Sequence, residues 1–327
     1  MKKEKQIHVG VIGVGHLGSL HAKMYAEIST VHFVGVYDAN QEKSKEIASK
    51  YNVTSFSTIE ELLEKVEAVS LATITSTHYE LAKKIISSGK HILIEKPITQ
   101  TVAEADELIA LAKEKNVLIQ VGHIERFNAA IISLEKYHLK PLFIESHRLA
   151  QFNPRGTDVA VVLDLMIHDI DIILSLVQSP VKKIEANGVA VVSDSIDIAN
   201  ARLQFENGCV ANVTASRISQ NKMRKMRMFQ HNAYISIDFS QGLSEVFRLI
   251  DENDGEVQPT MLLGKIGEGT KKKNIIYEQP QIQEINALKY ELESFINSIQ
   301  NNTEPIVSGK DGKQALEVAQ QIIESIK

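Results

Sequence analysis

Three titratable residues with helical spacing, Asp164, His168 and Asp171, stand in an otherwise apolar stretch that ends at Val177. Asp164 and His168 are four residues apart and Asp171 follows three residues later, so an α-helix would carry all three near one face. Carboxylates and an imidazole on an apolar helix are costly to bury unless they transfer protons or bind a ligand. The alternative is a helix whose polar edge is solvated, and this stretch alone does not choose between the two.

A glycine-rich turn near the start of the chain predicts a dinucleotide site. The apolar run Ile7–Ile12 predicts a strand, the next residues read Gly13-Val14-Gly15-His16-Leu17-Gly18, and a helical pattern follows. In such a turn the first glycine allows the tight bend, the second lets the backbone approach a pyrophosphate, and the third lets helix and strand pack closely. The residues expected to contact the cofactor here are Gly13, Gly15, His16, Leu17 and Gly18.

An acidic residue at the end of the second predicted strand favours one dinucleotide over the other. The strand Val31–Tyr37 is followed by Asp38, which stands twenty residues after Gly18. A carboxylate at this place accepts hydrogen bonds from the ribose hydroxyls and repels a 2′-phosphate. No arginine follows Asp38 directly, although Lys43 is near, so the sequence predicts NAD rather than NADP.

Strands and helices alternate up to a sixth predicted strand at Val117–Val121, which indicates a parallel, doubly wound sheet. Ligands of such sheets bind beyond the carboxyl ends of the strands. Further cofactor contacts are therefore expected at Thr73, Thr75, His78, Glu95 and Lys96. A lysine at a strand end can also hold a substrate hydroxyl and stabilise the alkoxide as a proton leaves. The alternative for Lys96 is a surface lysine in a loop.

The second half of the chain has a different pattern. After a predicted helix at Asn128–Tyr137 and the strand Phe143–Leu149, alternating runs follow one another without helices between them from Ile184 to Phe239. Successive strands of this kind predict an antiparallel sheet. One face of that sheet can pack on the helix that carries His168, and the other must be solvated or covered by another subunit. We therefore expect a homo-oligomer that forms through this sheet.

These motifs together, Gly13–Gly18, Asp38, Glu95-Lys96-Pro97 and the Asp164, His168 and Asp171 spacing, resemble the glucose–fructose oxidoreductase, inositol dehydrogenase and MocA family over essentially the whole chain. The resemblance implies an α/β fold: an N-terminal Rossmann doubly wound parallel sheet, followed by an α+β domain with a large, mostly antiparallel sheet. We place the NAD-binding domain at residues 1–124 and the substrate-binding and oligomerisation domain at residues 125–327. The resemblance also implies that Lys96, Asp164 and His168 meet at the nicotinamide.

Two segments narrow the resemblance within the family. Gly122–Asn128 and Phe152–Asp158 are similar to UDP-N-acetylglucosamine 3-dehydrogenases. That group oxidises the 3-hydroxyl of a nucleotide sugar to a ketone, which an aminotransferase converts to the 3-amino sugar of amide-linked lipid A. The side chains expected to contact the substrate are Arg126, Asn128, Arg155 and Asp171.

The expected mechanism is hydride transfer from a sugar carbon to the nicotinamide, with Lys96, His168 and Asp164 as the catalytic residues. His168 takes the hydroxyl proton as general base, Asp164 orients the imidazole, and Lys96 stabilises the developing negative charge. Two groups that share one oxygen titrate together, so the sequence leaves open whether Lys96 or His168 is the formal base.

Three other functions compete with this interpretation. Asp164, His168 and Asp171 could ligate zinc, but the stretch has no cysteine pair and no second histidine, so we expect no metal. An NAD-dependent dehydrogenase of a free polyol or sugar such as inositol is the alternative among enzymes. A non-catalytic NAD- or sugar-binding protein would keep the fold, but the intact set of Lys96, Asp164 and His168 argues against it.

The composition limits the classes of partner and the cellular compartment that we expect for this protein. A formal net charge of −5 argues against nucleic-acid and membrane-surface partners, and no apolar run is long enough to span a bilayer. The single cysteine, Cys209, cannot form an intrachain disulfide, and the charged start does not resemble a signal peptide. We therefore expect a cytoplasmic protein whose ligand is a small molecule.

Overall fold

The computed structural model describes residues 6–153, 159–251, 261–267, 272–281 and 285–326. Two compact units are present: Met1–Phe127 with Ile285–Leu316, and Asn128–Glu284 with Glu317–Lys327. No helix in these described ranges is both long and apolar enough to cross a membrane.

The first unit contains a parallel sheet with helices between its strands. In chain order its elements are β1 (Ile7–Ile12), α1 (His16–Glu27), β2 (Val31–Tyr37), α2 (Gln41–Tyr51), β3 (Thr54–Ser55), α3 (Ile59–Leu63), β4 (Ala68–Leu71), α4 (His78–Ser87), β5 (His91–Glu95), α5 (Val102–Lys115) and β6 (Ile119–Gly122). The strand order is β3-β2-β1-β4-β5-β6, and every described pairing is parallel. This is the doubly wound dinucleotide-binding topology, which confirms the predicted fold of the N-terminal half.

Local signals fix the ends of several of these helices. Asn40 accepts hydrogen bonds from two backbone N–H groups of the first turn of α2, and Thr101 and Glu104 form a reciprocal capping box at the start of α5. Asn52 and Asn116 end α2 and α5 in the left-handed conformation, which asparagine tolerates better than most residues. These caps fix where the two helices begin and end.

The second unit is organised around a mixed sheet. In chain order its elements are α6 (Ala129–Ile132), β7 (Phe143–Leu149), a π-helical segment (Val162–Met166), α7 (Ile167–Val177), β8 (Val181–Val189), β9 (Ile198–Phe205), β10 (Val210–Ser216), β11 (Met223–Gln230), β12 (Ala233–Asp238), β13 (Leu243–Asp251), β14 (Met261–Ile266) and β15 (Lys273–Glu278). The strand order is β14-β15-β13-β12-β11-β7-β10-β9-β8. Among the described strands of this second sheet only β7 and β10 pair in parallel, so the predicted large, mostly antiparallel sheet is confirmed.

One face of this sheet packs on α7 and the other does not. Ile144 on β7, Val213 on β10 and Met226 on β11 are fully buried on the face that α7 covers. The predicted helix at Asn128–Tyr137 is a single turn in the structure, Ala129–Ile132, and turns follow it in which Leu134 is buried and Glu135 is exposed.

The C-terminal helices are α8 (Ala287–Asn301) and α9 (Gly309–Ser325). Leu292, Phe295 and Ile296 of α8 are buried in the same core cluster as Val9 of β1 and Tyr25 of α1. The first unit therefore includes a segment that the division into residues 1–124 and 125–327 assigns to the second domain. Sequence patterns reveal the apolar face of α8 but not the unit on which that face packs.

A buried carboxylate in the second unit gives a testable contribution to stability. Asp197 is fully buried, accepts hydrogen bonds from the backbone N–H groups of Val191, Val192 and Ser193, and lies 3.7 Å from Nε of Arg217. Burial opposes its ionisation, but the backbone donors outweigh burial and hold the pKa of Asp197 well below its usual range. The ionised carboxylate thus holds the turn before β9 in place.

We expect Asp197→Asn to lower the free energy of unfolding at pH 7 by about 1–3 kcal/mol, since backbone donors lose a charged acceptor. Because the folded-state pKa is depressed, the contribution is present above the unfolded pKa of about 4 and is lost as the pH falls toward the lower folded value. Urea unfolding between pH 7 and pH 3 measures the difference between wild type and variant. A difference that stays constant as the pH falls would contradict this assignment.

Candidate active site

The glycine turn between β1 and α1 has room only for glycine at two positions. Gly13 has φ +85°, in the left-handed region, and a Cβ on Gly18 would stand 1.7 Å from the carbonyl oxygen of Gly13. Gly15 is different, because a Cβ there would meet no atom within 4 Å. The turn itself therefore requires the first and third glycines, whereas the second leaves open space beside the backbone.

The start of α1 suits the pyrophosphate of a dinucleotide. Gly15 is the N-cap of α1 and supplies no side-chain cap, and the first turn carries no acidic residue. Its N–H groups and helix dipole therefore favour an anion. Leu17 is 45% exposed beside this turn. The residues present here fit NAD, which would accept a hydride at its nicotinamide when bound.

Asp38 joins the end of β2 to the glycine turn. Its carboxylate accepts hydrogen bonds from the backbone N–H of Val14 at 2.7 Å and of Asn40 at 2.8 Å. The side chain is half-buried, so it remains accessible to a ligand. This placement at the carboxyl end of β2 matches the ribose-binding position that the sequence predicts.

The loops after β4 and β5 bring together the other predicted cofactor residues. Thr75 begins a one-turn 3-10 helix, and the hydroxyl of Thr77 donates to that of Thr73 at 2.8 Å. His78 is buried, with Nδ1 2.9 Å from the carbonyl oxygen of Pro97 and Nε2 3.2 Å from that of Thr73. Burial lowers the pKa of His78 although these carbonyls oppose the shift. His78 thus connects the loop after β4 to the loop after β5. The sequence did not reveal this contact.

Lys96 follows directly after β5, and the Lys96–Pro97 peptide bond is cis. The Lys96 side chain is half-buried. Glu95 is predicted as a cofactor contact, but its carboxylate faces inward and lies 2.9 Å from Nε2 of His21 on α1. His21 was missed because its partner lies 74 residues away in the sequence. Ile74, in the loop after β4, is 71% exposed, and the sequence analysis did not single it out.

The segment with Asp164 and His168 is not a regular α-helix. Asp164 lies in the π-helical segment Val162–Met166, and α7 begins at Ile167, just before His168. A π turn holds more residues than an α turn, but two residues that are four apart still lie on a similar side of the helix. Both side chains are half-buried. Single π turns occur often at functional sites, which agrees with the catalytic roles predicted for this segment.

A buried ion pair fixes the start of α7. Arg148 on β7 donates from Nε to Asp169 Oδ2 at 2.8 Å and from Nη2 to Oδ1 at 3.1 Å. The two side chains are only 3% and 2% exposed. This bidentate pair ties the residue after His168 to a central strand of the sheet.

The predicted substrate residues have different surroundings. Asn128 caps α6 through the backbone N–H of Ala130 and donates to the carbonyl oxygen of Phe239, both at 3.1 Å. The Arg126 guanidinium lies 3.8 Å from the Asp311 carboxylate, and Asp171 is buried within α7. Arg155 lies outside the described residues. Contact with a substrate stays a prediction for Arg126, Asn128, Arg155 and Asp171.

The zinc alternative gains no support within the described ranges. No three histidine, cysteine, aspartate or glutamate side chains of these residues are close enough to hold a metal ion. Asp169, the acid beside His168, is engaged by Arg148.

Several known proteins are similar to this chain over nearly its whole length. A UDP-N-acetylglucosamine 3-dehydrogenase from Acidithiobacillus ferrooxidans is 37% identical over 317 residues, which are 97% of this chain and 96% of that enzyme. Its crystal structure aligns with a TM-score of 0.87 over 98% of both chains. A myo-inositol 2-dehydrogenase from Thermotoga maritima is 25% identical over 95% of this chain and 93% of that enzyme.

A levoglucosan dehydrogenase in complex with NADH and L-sorbose shares the fold at 20% identity, with a TM-score of 0.82 over 98% of this chain and 96% of that chain. Residues 7–123 match the model of an oxidoreductase family with an NAD-binding Rossmann fold, and residues 122–237 match the GFO/IDH/MocA C-terminal domain. The chain therefore belongs to the GFO/IDH/MocA family and is an NAD-dependent dehydrogenase that acts on CH–OH groups.

Proposed function

We propose that this enzyme oxidises the 3-hydroxyl of UDP-N-acetylglucosamine to a ketone. The observation that carries the proposal is the full-length similarity to the Acidithiobacillus enzyme, at 37% identity over 97% of the chain. The segments Gly122–Asn128 and Phe152–Asp158 support the same substrate by their resemblance to that group. The ketone that forms is a substrate for transamination, which would lead to a 3-amino sugar.

We propose that Lys96 and His168 act on the same substrate hydroxyl. One of these two bases takes the hydroxyl proton, and NAD, when bound, would supply the acceptor for the hydride that leaves the carbon as the C=O bond forms. In this proposal Asp164, four residues before His168, orients the imidazole and favours its charged form as the proton arrives. Lys96 stabilises the negative charge that develops on the oxygen.

The test combines purified enzyme, NAD and UDP-N-acetylglucosamine with a glutamate-dependent aminotransferase that removes the ketone. NADH absorbance should rise with the nucleotide sugar and not with N-acetylglucosamine, glucose or myo-inositol. A substrate with deuterium at C3 should give deuterated NADH, whereas deuterium at C4 should stay in the sugar. NADH formed from inositol but not from the nucleotide sugar would overturn the substrate proposal and leave the family assignment intact.

The competing function is oxidation of a free polyol, which the 25% identity to a myo-inositol 2-dehydrogenase favours. UDP separates the two possibilities, since only a nucleotide-sugar site recognises the diphosphate and uracil groups. Competitive inhibition by UDP against the sugar substrate supports the nucleotide-sugar function, and absence of inhibition at millimolar UDP supports the polyol.

The position of Asp38 supports a preference for NAD over NADP. We expect Asp38→Asn to lower the ratio of kcat/KM for NAD to kcat/KM for NADP by about tenfold or more, since the repulsion of a 2′-phosphate disappears. Asparagine keeps one side-chain oxygen that can accept from the Val14 N–H, but it has no second oxygen for the Asn40 N–H, so the unfolding temperature of the variant is measured beside its kinetics. Steady-state kinetics with both cofactors measure the ratio, and an unchanged ratio would contradict the assignment.

We also propose that the uncovered sheet face binds a second copy of this chain. A row of aromatic rings crosses five strands there: Phe143, Phe229, Tyr234, Phe247 and Tyr277, with successive ring centroids 5.0–5.9 Å apart. Phe229 is 39% exposed. The adjoining positions pair opposite charges, Arg227 with Glu145 and Lys225 with Asp238. A face of mixed charge beside an apolar row can complement itself across a two-fold axis.

We expect Tyr234→Glu to reduce the mass in light scattering to that of a smaller assembly, because a charge in an apolar interface is costly. Asn301→Glu on α8 is the control, since Asn301 is exposed outside this sheet. A wild-type protein that is monomeric at all concentrations tested would refute the proposed interface.

We further propose that the enzyme works in the reducing cytoplasm. Its one cysteine, Cys209, is buried, and burial raises the pKa of the thiol to about 11. A thiol of this kind is poorly suited to disulfide exchange. Resistance of Cys209 to a thiol reagent in the native enzyme tests this environment.

A further inference from the structure

A buried arginine contacts the backbone just before the residues with predicted catalytic roles. Arg217 directly follows β10, and its Nη2 donates to the carbonyl oxygen of Val159 and, at 3.3 Å, to that of Ile196. Val159 stands five residues before Asp164. We name residues 159–168 the catalytic segment, because Asp164 and His168 lie in it. Arg217 therefore joins the catalytic segment to the turn before β9.

The carbonyl oxygen of Ile196 accepts from two donors. One is Arg217, and the other, at 2.9 Å, is the backbone N–H of Val161, which is the N-cap of the π-helical segment. A carbonyl oxygen has two lone pairs, so both hydrogen bonds can form together. The N–H groups at the start of a helix need acceptors outside the helix. Ile196 supplies such an acceptor, and Arg217 fixes its place.

Hydrogen bonds inside the catalytic segment connect this start to Asp164. The backbone N–H groups of Leu163 and Asp164 donate to the carbonyl oxygen of Ala160 at 3.0 and 3.1 Å. The N–H of Ile167 donates to the carbonyl oxygen of Val162, five residues earlier, which is the spacing of a π turn. A shift of the backbone at residues 159–161 would therefore change where this turn begins and where its side chains point.

Two strands hold the arginine itself in place. Asp197 precedes β9, its carboxylate lies 3.7 Å from Nε of Arg217, and its carbonyl oxygen accepts from the Arg217 N–H at 3.0 Å. The next residues along, Ile198 and Ser216, pair in the antiparallel ladder of β9 and β10. A buried guanidinium is always charged, so it needs an anion and several acceptors nearby. The guanidinium is thus fixed to the β9–β10 pair, and its Nη2 reaches the catalytic segment.

We propose that Arg217 is a positioning residue for catalysis: it holds the start of the π-helical segment so that Asp164 and His168 keep the places that proton transfer requires. This inference rests on the proposed function, because it assumes that His168 acts on the substrate hydroxyl. Arg217 acts through the backbone of residues 159–161 and not by contact with the substrate. A displacement of about 1 Å at a catalytic group can cost about 10²-fold in rate, so loss of this contact should lower kcat.

Another arginine pair in the same unit is the matched control. Arg248 on β13 donates from Nε and Nη2 to the carboxylate of Glu278 on β15, at 2.6 and 3.1 Å. Three strands, β12, β11 and β7, separate β13 from β10 in the sheet. Loss of either arginine removes a charge-assisted pair from the second unit, but of these two only Arg217 lies beside the catalytic segment.

The experiment compares full-length Arg217→Ala, Arg217→Lys and Arg248→Ala with wild type. Hydrogen exchange followed by mass spectrometry reports the backbone N–H groups of the catalytic segment. These groups should exchange faster in Arg217→Ala and at the wild-type rate in Arg248→Ala, because a hydrogen-bonded N–H exchanges when the local backbone opens. This measurement does not depend on the substrate.

The second measurement is NADH formation from UDP-N-acetylglucosamine. We expect kcat to fall by about 10–100-fold in Arg217→Ala and to stay at the wild-type value in Arg248→Ala. The dissociation constant for NADH should be unchanged in both variants, because the glycine turn and Asp38 lie in the other unit. A general loss of stability would lower both kcat and NADH binding.

Guanidinium ion provides a readout that a merely structural role would not move. Arg217→Ala removes a planar cation, so guanidinium at millimolar concentration should restore part of kcat, whereas urea, which is similar in shape but uncharged, should not. Arg217→Lys keeps the charge beside Asp197 but not the planar set of donors, so its kcat should lie between those of wild type and Arg217→Ala. If Arg217→Ala does not fold, Arg217→Lys carries the comparison with Arg248→Ala.

Unchanged exchange of the catalytic segment in the folded Arg217 variant would overturn the inference, and so would a kcat equal to that of Arg248→Ala. Equal effects of guanidinium and urea would overturn the role of the charged group. Full turnover in His168→Ala would instead overturn the proposed mechanism and leave the exchange result standing. If another sugar is the substrate, kcat is measured with that sugar, so the two failures are distinguishable.

Discussion

Replacing Lys96 with methionine should lower kcat by about 10²–10³-fold, and replacing His168 with alanine should lower it by about 10²–10⁴-fold. Methionine keeps the length and the apolar part of the lysine side chain but cannot stabilise a developing alkoxide. Alanine leaves no group to accept the hydroxyl proton. We propose that the glycine turn and Asp38 hold the cofactor, so the dissociation constant for NADH, followed by fluorescence, should change little in His168→Ala.

Two controls make this prediction specific. Lys90→Met removes another half-buried lysine next to β5, and His231→Ala removes an exposed histidine from the second unit; both should keep wild-type kcat. Added imidazole should restore part of the activity of His168→Ala, because a small diffusible base can replace the missing one. Imidazole should not restore Lys96→Met. Turnover at the wild-type rate in both Lys96→Met and His168→Ala would refute the proposed mechanism.

The largest loss of stability is expected for Arg148→Met, at about 3–5 kcal/mol. The substitution leaves the Asp169 carboxylate buried and without the bidentate donors that it has at 2.8 and 3.1 Å. Because Asp169 is the neighbour of His168 and opens α7, kcat should fall as well. Urea unfolding at pH 7 gives the free energy, and kinetics below the transition give kcat.

An exposed ion pair in the same unit separates the effect of burial on stability from the effect of charge. Lys183 and Glu185 form an ion pair at 2.8 Å in the same unit, but their side chains are 57% and 51% exposed. Lys183→Met should therefore cost less than about 1 kcal/mol. The double variant Arg148→Met with Asp169→Leu should recover much of the stability but not the activity, because both charges are then absent from the core. An Arg148→Met variant as stable as Lys183→Met would show that the pair does not hold the fold together.

Several elements were predicted to the residue because their signals are local. The apolar runs of β1 and β2, bounded by glycine and aspartate, gave the bounds Ile7–Ile12 and Val31–Tyr37. In contrast, the helix predicted at Asn128–Tyr137 is one turn long, so the periodicity of the segment did not fix its length. Strand β13 (Leu243–Asp251) had no distinct sequence signal and forms through pairing with β12 and β15.

The candidate site also has features that the sequence predicts and features that only the structure reveals. The sequence alone determined the dinucleotide fold, the glycine turn followed by Asp38 at the end of β2, and the place of Lys96 directly after β5, because turn geometry and strand-to-helix alternation are set by neighbouring residues. The catalytic roles of Lys96, Asp164 and His168 stay predictions. Only the tertiary structure decided that Glu95 faces His21, that Arg148 holds Asp169, that the turn at Asp164 is π rather than α, and that α8 joins the first unit. Each of these depends on a partner distant in sequence or on how much space packing leaves. A sequence pattern records neither.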